Sequence, residues 1–552
     1  MKKPLVASLL LVLSVLSWPR AQASSADPFR ATIPDTLQFA EKQLRATANA
    51  LPLSAYPSST ALDGSWDTTG SGSWTSGFLS GTFWYMYQYT RNPFWRLQAE
   101  QWQTGLESQK FRTDDQDLGF MILDSYGHGY RQTGNDTYRQ VVLTAAESLA
   151  QRFDPNLGYI RSRGDLSDTE DFRVIIDTLM NSELLFWGAR NGGGREWYDM
   201  AHQHALHVLE THVREDGSTL QTVSIDPRTG TIQEQSKEQG CRWNTTWARG
   251  QAWAVYGFTM AYRETHDPRL LQAARRTADY FLQHLPADKV PYWDLEVPHR
   301  SQEPRDSSAA AIVASALVEL SQLENQPRRA ARYWYAARDI LISLSSPAYL
   351  TRHKQSRSIL RHGTAYKPHD KYDTGLIQGD YFFIEALLRY SSARPPARAA
   401  WTPPGEAEAP LSRRGEDPSM GTDDVSLSFS LRLMSLPSED AGLPSHEGDL
   451  MGHLLVRPSG ELALSNGEIE IGARSIPLKV GQAYRILLRQ KKDSGPYTIL
   501  EAYLAREGED FECPFVSSRV VLSSPASGPP RSAALAPLDA IVEDLEVHPA
   551  PR

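Results

Sequence analysis

Apolar residues recur at helical spacing over residues 36–51, 75–90, 94–108, 138–153, 196–213, 250–265, 269–285, 307–323, 331–346 and 380–392. A 3.6-residue period of this kind predicts amphipathic or buried helices, about eleven with the stretch described next. Helices end repeatedly in a Tyr-x-x-Thr-x-Asp/Asn pattern, as in YRQTGND and YRETHD. Recurring helix pairs of this sort predict a ring of helical hairpins, with function on the loops at one end. After residue 420 the pattern changes to short alternating runs such as VSLSFSLRL, QAYRILLRQ and YTILEAYLA. Alternation with turn residues between runs predicts a β-sandwich of the jelly-roll (LamG-like) type.

One helix is expected over Asp171–Arg190, DFRVIIDTLMNSELLFWGAR, apolar around most of its circumference. Asp177 lies in its middle and Asn181 one turn on. A buried carboxyl without an adjacent cation has a raised pKa, which suits a general acid near neutral pH. The alternative is a structural aspartate bonded to a loop or helix end.

Composition divides the chain. Residues 1–23 carry a basic start, an apolar run and an Ala21-Gln22-Ala23 cleavage site, which reads as a secretory signal peptide. No later run is apolar and long enough to span a membrane. The expected domains are residues 24–392, helical, and 421–552, sheet, with a Pro/Ala-rich linker over 393–420. The net charge of −9 shows no concentrated basic stripe, which makes nucleic acid a poor partner. The two cysteines, Cys241 and Cys513, stand in different halves, so a bridge between them is not expected. No metal-ligand spacing stands out and no cofactor is implied.

The helical part holds the candidate chemistry. Trp66, Trp74 and Trp84 surround a Gly/Ser/Thr-rich stretch. Trp74, at a helix start, suits sugar stacking, whereas Trp84 inside FWYMY reads as core. Asp117 in DDQDLGF is placed near a helix start, where the peptide dipole favours an ionised carboxylate; an ordinary cap is the alternative. Arg249 and Trp253, four apart on one helix face, suit a ring bearing a carboxylate, unless Arg249 forms a buried ion pair. Gly250 between them permits close approach of a substrate or another helix. Asp306 reads as a helix cap. In the sheet part, Tyr484, Tyr497, Tyr503 and Phe515 are either a sugar-binding surface or core.

The ordered motifs W-T-S-G-F, D-L-G-F, I-I-D-T-L-M-N, D-G-S-T, W-A-R-G-Q-A-W and R-D-S-S-A-A-A resemble the unsaturated glucuronyl hydrolases, glycoside hydrolase family 88. The resemblance spans roughly residues 30–390 and implies an (α/α)6 barrel. It also implies removal of Δ4,5-unsaturated uronic acids from lyase-generated oligosaccharides. By resemblance Asp177 is the acid/base that protonates C4 and activates the water adding at C5. Asp117 is then the second aspartate, and Trp74, Gln239, Arg249 and Trp253 line the pocket; Asn181 and Gln221 are further substrate-binding candidates. Two positions depart from the family. Gln221 stands where a histidine is common, and Arg163 where a tryptophan tends to be. Arg163 is expected to read a sulfate or second carboxylate on the neighbouring sugar, as in glycosaminoglycan or ulvan fragments. The rival readings are a two-carboxylate hydrolase of saturated glycosides and a non-catalytic glycan-binding protein.

Overall fold

The computed structural model describes residues 27–169, 171–297, 302–396 and most of 425–549. The expected signal peptide and nearly all of the expected linker lie outside the described residues.

Among the described residues, six helical segments form an inner ring: Ser76–Thr90, Gly119–Thr133, Thr178–Arg190, Ala248–Thr265, Ser307–Leu323 and Ile377–Ser392. Each touches the next, and the last touches the first, so the ring closes. Six more, Pro28–Ala50, Pro93–Thr104, Asp136–Ala150, Arg195–His212, Pro268–Gln283 and Pro327–Leu344, lie outside it. This is an α/α barrel. The division follows from composition. Ser307–Leu323 is small and apolar and is buried nearly throughout, while Pro268–Gln283 buries only one stripe.

The Tyr-x-x-Thr-x-Asp/Asn pattern makes the inner-to-outer turn. Inner helices end on a left-handed residue, Arg91, Gly134 or His266, whose N–H returns to the carbonyl of Tyr87, Tyr130 or Tyr262. The Thr hydroxyl then accepts the N–H of Asn92, Asn135 or Asp267. Those three side chains cap the following helix. At the barrel axis, Glu385 gathers four inner helices. Its carboxylate accepts from Tyr85 at 2.7 Å, Ser315 at 2.7 Å, Arg389 at 3.0 Å and Tyr256 at 3.1 Å.

The expected single helix over Asp171–Arg190 is not formed. Phe172–Ile175 is a β-strand, and the helical part begins at Thr178. The run of Val174, Ile175 and Ile176 fits a pleated, paired surface better than a helix interior, and Val174 pairs with Val223. Asp177 therefore sits at a strand-to-helix junction.

That strand is the edge of an eight-stranded antiparallel sheet. Its order is Ala540–Pro549, Val425–Leu433, Ala483–Lys492, Tyr497–Arg506, Val516–Val521, Ile232–Ser236, Thr222–Ile225 and Phe172–Ile175. Five C-terminal strands thus continue directly into three strands of the barrel's loops. A second sheet of four short strands shares an apolar core with the first, built from residues such as Phe429, Leu464, Ile486 and Leu500. Tyr484, Tyr503 and Phe515 are buried, and Tyr497 lies under Arg519, so these aromatics serve packing. The cysteine expectation is also corrected: Cys241 and Cys513 are disulfide-bonded, because the strand pairing of Ser236 with Ser518 brings the two halves together.

Candidate active site

The site is built where the Gly119 segment meets the Thr178 segment. A Cβ on Gly119 would lie 2.7 Å from Asn181 Oδ1 and 2.8 Å from its Cα. Only glycine allows the two segments this close. Asn181, fully buried, then joins them: its Nδ2 donates to Asp117 Oδ1 at 3.0 Å, and its Oδ1 accepts the Phe120 N–H at 3.1 Å.

Asp177 makes no capping hydrogen bond, and its Oδ1 is buried without a partner. An unpaired buried acceptor is costly when ionised and less so as a neutral acid. Burial pushes the Asp177 carboxyl up to about 6, with the Arg163 guanidinium pulling it down and Glu238 and Asp115 pushing it up. Asp117 differs from the expectation of a carboxylate ionised by a helix dipole. It is buried, and its carboxyl is held well above the usual range by burial, then by Asp115 and Asp177. Burial thus makes both carboxyls favour keeping a proton.

Arg249 takes the ion-pair alternative. It is buried and donates to Asp306 Oδ2 at 2.7 Å, Gln239 Oε1 at 2.8 Å and the carbonyls of Thr364 and Ala365 at 2.5 and 2.9 Å. Its aromatic neighbour is Trp247, 4.6 Å from the ring centroid, and not Trp253. Asp306 also caps Ser307–Leu323 by accepting from Ser308 and Ala309, as expected. Trp253, 2% exposed, packs on Phe120 and Phe382 at centroid distances of 5.2 and 5.5 Å. Trp74 is half-buried against Phe78 and the same Phe120. Trp84 is core, donating Nε1–H to Gln103 at 2.9 Å. At Gly250 a Cβ would meet Trp247 at 2.8 Å, so its small size serves internal packing.

Comparison with known proteins identifies this arrangement. A profile of Glycosyl Hydrolase Family 88 matches residues 48–322. An unsaturated glucuronyl hydrolase of Formosa agariphila is 39% identical over 321 residues, 57% of this chain and 79% of that protein. This chain belongs to glycoside hydrolase family 88. A crystal structure of an unsaturated glucuronyl hydrolase specific for heparin superposes with a TM-score of 0.62 at 36% identity. The match covers 65% of this chain and 97% of that one, leaving about a third of this hydrolase unmatched there. A mutant unsaturated glucuronyl hydrolase of Streptococcus agalactiae in complex with dGlcA-GalNAc6S is 28% identical with a TM-score of 0.57. That match covers 66% of this chain and 92% of that one.

Gln221 and Arg163, the two positions expected to depart from the family, both meet the segment at Glu238. Gln221 Oε1 accepts two backbone N–H groups, from Glu238 at 2.8 Å and Gln239 at 2.7 Å. One neutral imidazole nitrogen offers a single lone pair, so a histidine cannot make the same double contact. Arg163 has a half-exposed side chain and lies 3.7 Å from Glu238. Sequence reasoning passed over Glu238, although it adjoins Gln239 in EQGCRW. It also passed over Gln116, whose Oε1 accepts the Thr178 hydroxyl and whose Nε2 is buried without a partner. Its neighbours Asp114, Asp115 and Asp117 form an acidic run in DDQDLGF. The signal for Gln116 was its place between two of those acids.

Proposed function

We propose that this hydrolase removes the terminal Δ4,5-unsaturated uronic acid from lyase-generated oligosaccharides by hydrating the C4=C5 bond. The carrying observation is Asp177, a carboxyl with an unpartnered buried oxygen, poised to titrate near pH 6. Protonated, it gives its proton to C4 of the enol ether; as carboxylate, it takes a proton from the water that adds at C5. The hemiketal formed at C5 opens, and the glycosidic bond breaks with it. Asp117, its carboxyl raised by burial and oriented by Asn181, hydrogen-bonds a ring hydroxyl and steadies the developing charge. Trp74 offers the aromatic wall, backed by Phe120 and, behind that ring, the buried Trp253. Arg249 shapes the pocket by holding Gln239 and the carbonyls of 364 and 365 in place.

The substrate class proposed is a glycosaminoglycan-type or other sulfated fragment, ulvan included. The half-exposed Arg163 supports an anionic group on the sugar next to the cleaved bond. Export to the periplasm or exterior belongs to the same reading, and the Cys241–Cys513 disulfide supports an oxidising compartment. The two C-terminal sheets around one core support a jelly-roll sandwich. The saturated-glycoside route needs an ionised nucleophile or base, and the burial that raises both Asp117 and Asp177 disfavours that form.

The test follows ultraviolet absorbance of the double bond in a panel of unsaturated disaccharides. The expected result is loss of absorbance with sulfated glycosaminoglycan products, abolished in Asp177→Asn. Unchanged absorbance with glycosaminoglycan, ulvan, xanthan and gellan products alike would overturn the reading.

A further inference from the structure

The loop from Lys237 to Trp243 is held from two directions. On the barrel side, Gln221 takes the N–H groups of Glu238 and Gln239, Asp294 Oδ2 takes that of Cys241 at 2.8 Å, and Arg249 holds the Gln239 side chain. On the other side the contacts come from the C-terminal part, at the start of the Val516–Val521 strand and just before it. Cys241 is bonded to Cys513, the buried Lys237 Nζ donates to the Pro514 carbonyl at 2.6 Å, and the Trp243 N–H donates to Ser517 Oγ at 3.0 Å. The strand leading into the loop pairs with Val516–Val521 through Glu234, Gln235 and Ser236. Three contacts, one covalent, thus join Lys237, Cys241 and Trp243 of this loop to Pro514, Cys513 and Ser517.

That loop carries the groups that meet Arg163 and Arg249, and the Glu238 charge acts on Asp177. Glu238 stands opposite Arg163, and Gln239 is tied to the Arg249 cluster. The Thr222–Ile225 and Phe172–Ile175 strands continue the same sheet to within two residues of Asp177.

We propose that the C-terminal sheet is a positioning element for catalysis, in which Cys513, Pro514 and Ser517 hold the Lys237–Trp243 loop so that Glu238 and Gln239 meet the substrate preorganised. The proposal rests on the site reading above. It makes Cys241, Cys513 and Ser517 positioning residues, since none reaches the reacting atoms. Ordering this loop in advance spares the substrate the entropy of ordering it on binding, so the effect falls on KM.

The test compares the full-length protein with two variants, Cys241→Ser/Cys513→Ser and Ser517→Ala, in the same absorbance assay. Both are expected to raise KM, the double variant roughly three- to ten-fold and Ser517→Ala less, with kcat changed by less than about two-fold. Wild-type KM in both variants, or a fall in kcat with KM unchanged, overturns the proposal, because a merely structural contact lowers the active fraction alone. If the double variant fails to fold, Ser517→Ala and wild type treated with dithiothreitol decide. The reagent supplies two electrons and two protons to the S–S bond and closes to its own cyclic disulfide. Amide exchange at Glu238 and Gln239 gives a readout independent of turnover. Faster exchange in the variants supports the proposal, and unchanged exchange sinks it. A wild type that consumes no unsaturated sugar counts against the function reading, while the exchange result still judges the positioning.

Discussion

Asn181 donates its amide Nδ2–H to Asp117 Oδ1 at 3.0 Å and accepts the Phe120 N–H on its Oδ1 at 3.1 Å. One buried side chain thereby fixes Asp117 to the segment that begins beside Asp177. Replacing Asn181 with Leu removes the donor and leaves both Asp117 Oδ1 and the Phe120 N–H unpaired. Such a loss costs about 1–3 kcal/mol per group. The expected outcome for Asn181→Leu is a kcat lower by about ten-fold or more, from a misplaced Asp117. Steady-state kinetics on the best disaccharide checks this, and a wild-type kcat would remove Asn181 from the site's architecture.

The proton on Asp177 gives a pH dependence with a definite sign. Burial raises its carboxyl to about 6, so the acid form is lost and kcat/KM falls as pH rises through that value. Arg163 lowers this pKa and Glu238 raises it. Arg163→Gln therefore moves the alkaline limb upward, and Glu238→Gln moves it downward. Profiles of kcat/KM for the three proteins decide. Shifts in the same direction for both variants would contradict the charge assignment.

The same group affects stability. A carboxyl whose folded pKa lies above its unfolded value binds its proton more tightly in the native state. Its contribution is present below the unfolded value near 3.8 and is lost as pH rises through about 6. Asp177→Asn removes the ionisable group, so it should melt at a higher temperature than wild type above pH 6. The two should converge near pH 4. Thermal melts across that range check the prediction; a variant less stable than wild type at pH 7.5 contradicts it.

Much of this was legible in the chain. Helix existence followed from periodicity because buried inner helices and striped outer ones differ in apolar coverage, and the Tyr-x-x-Thr-x-Asp/Asn turns have one chemical basis. The family motifs point to Asp177 and Asp117, and the fold brings both against Asn181. What misled were contacts made by distant residues. Phe172–Ile175 looked helical because its apolar run continues into a true helix, and only its pairing with Thr222–Ile225 makes it a strand. Asp117 looked ionised because the local pattern shows a helix start but not the burial imposed by the neighbouring segment. Cys241 and Cys513 are 272 residues apart, and no local pattern reveals that a C-terminal strand pairs with a barrel loop.

At the barrel axis, Glu385 accepts hydrogen bonds from Tyr85, Tyr256, Ser315 and Arg389, which belong to four different inner helices with its own. Arg389 also pairs with Glu319 at 2.8 Å, and Arg263 pairs with the same Glu319 at 2.8 Å. Removing the Glu385 carboxylate leaves a half-buried guanidinium short of one partner and takes the acceptor from the Tyr85, Tyr256 and Ser315 hydroxyls. Breaking one side of a buried ion pair typically costs about 3–5 kcal/mol. Glu385→Ala is therefore expected to lose about that much stability in urea unfolding, whereas Glu385→Gln, which keeps an acceptor oxygen, loses less. Because Glu385 lies in the packing of the ring and not among the Asp117, Asn181 and Asp177 group, the folded fraction of Glu385→Gln should keep a near-wild-type KM. A changed KM with unchanged stability would place this network in the catalytic machinery instead.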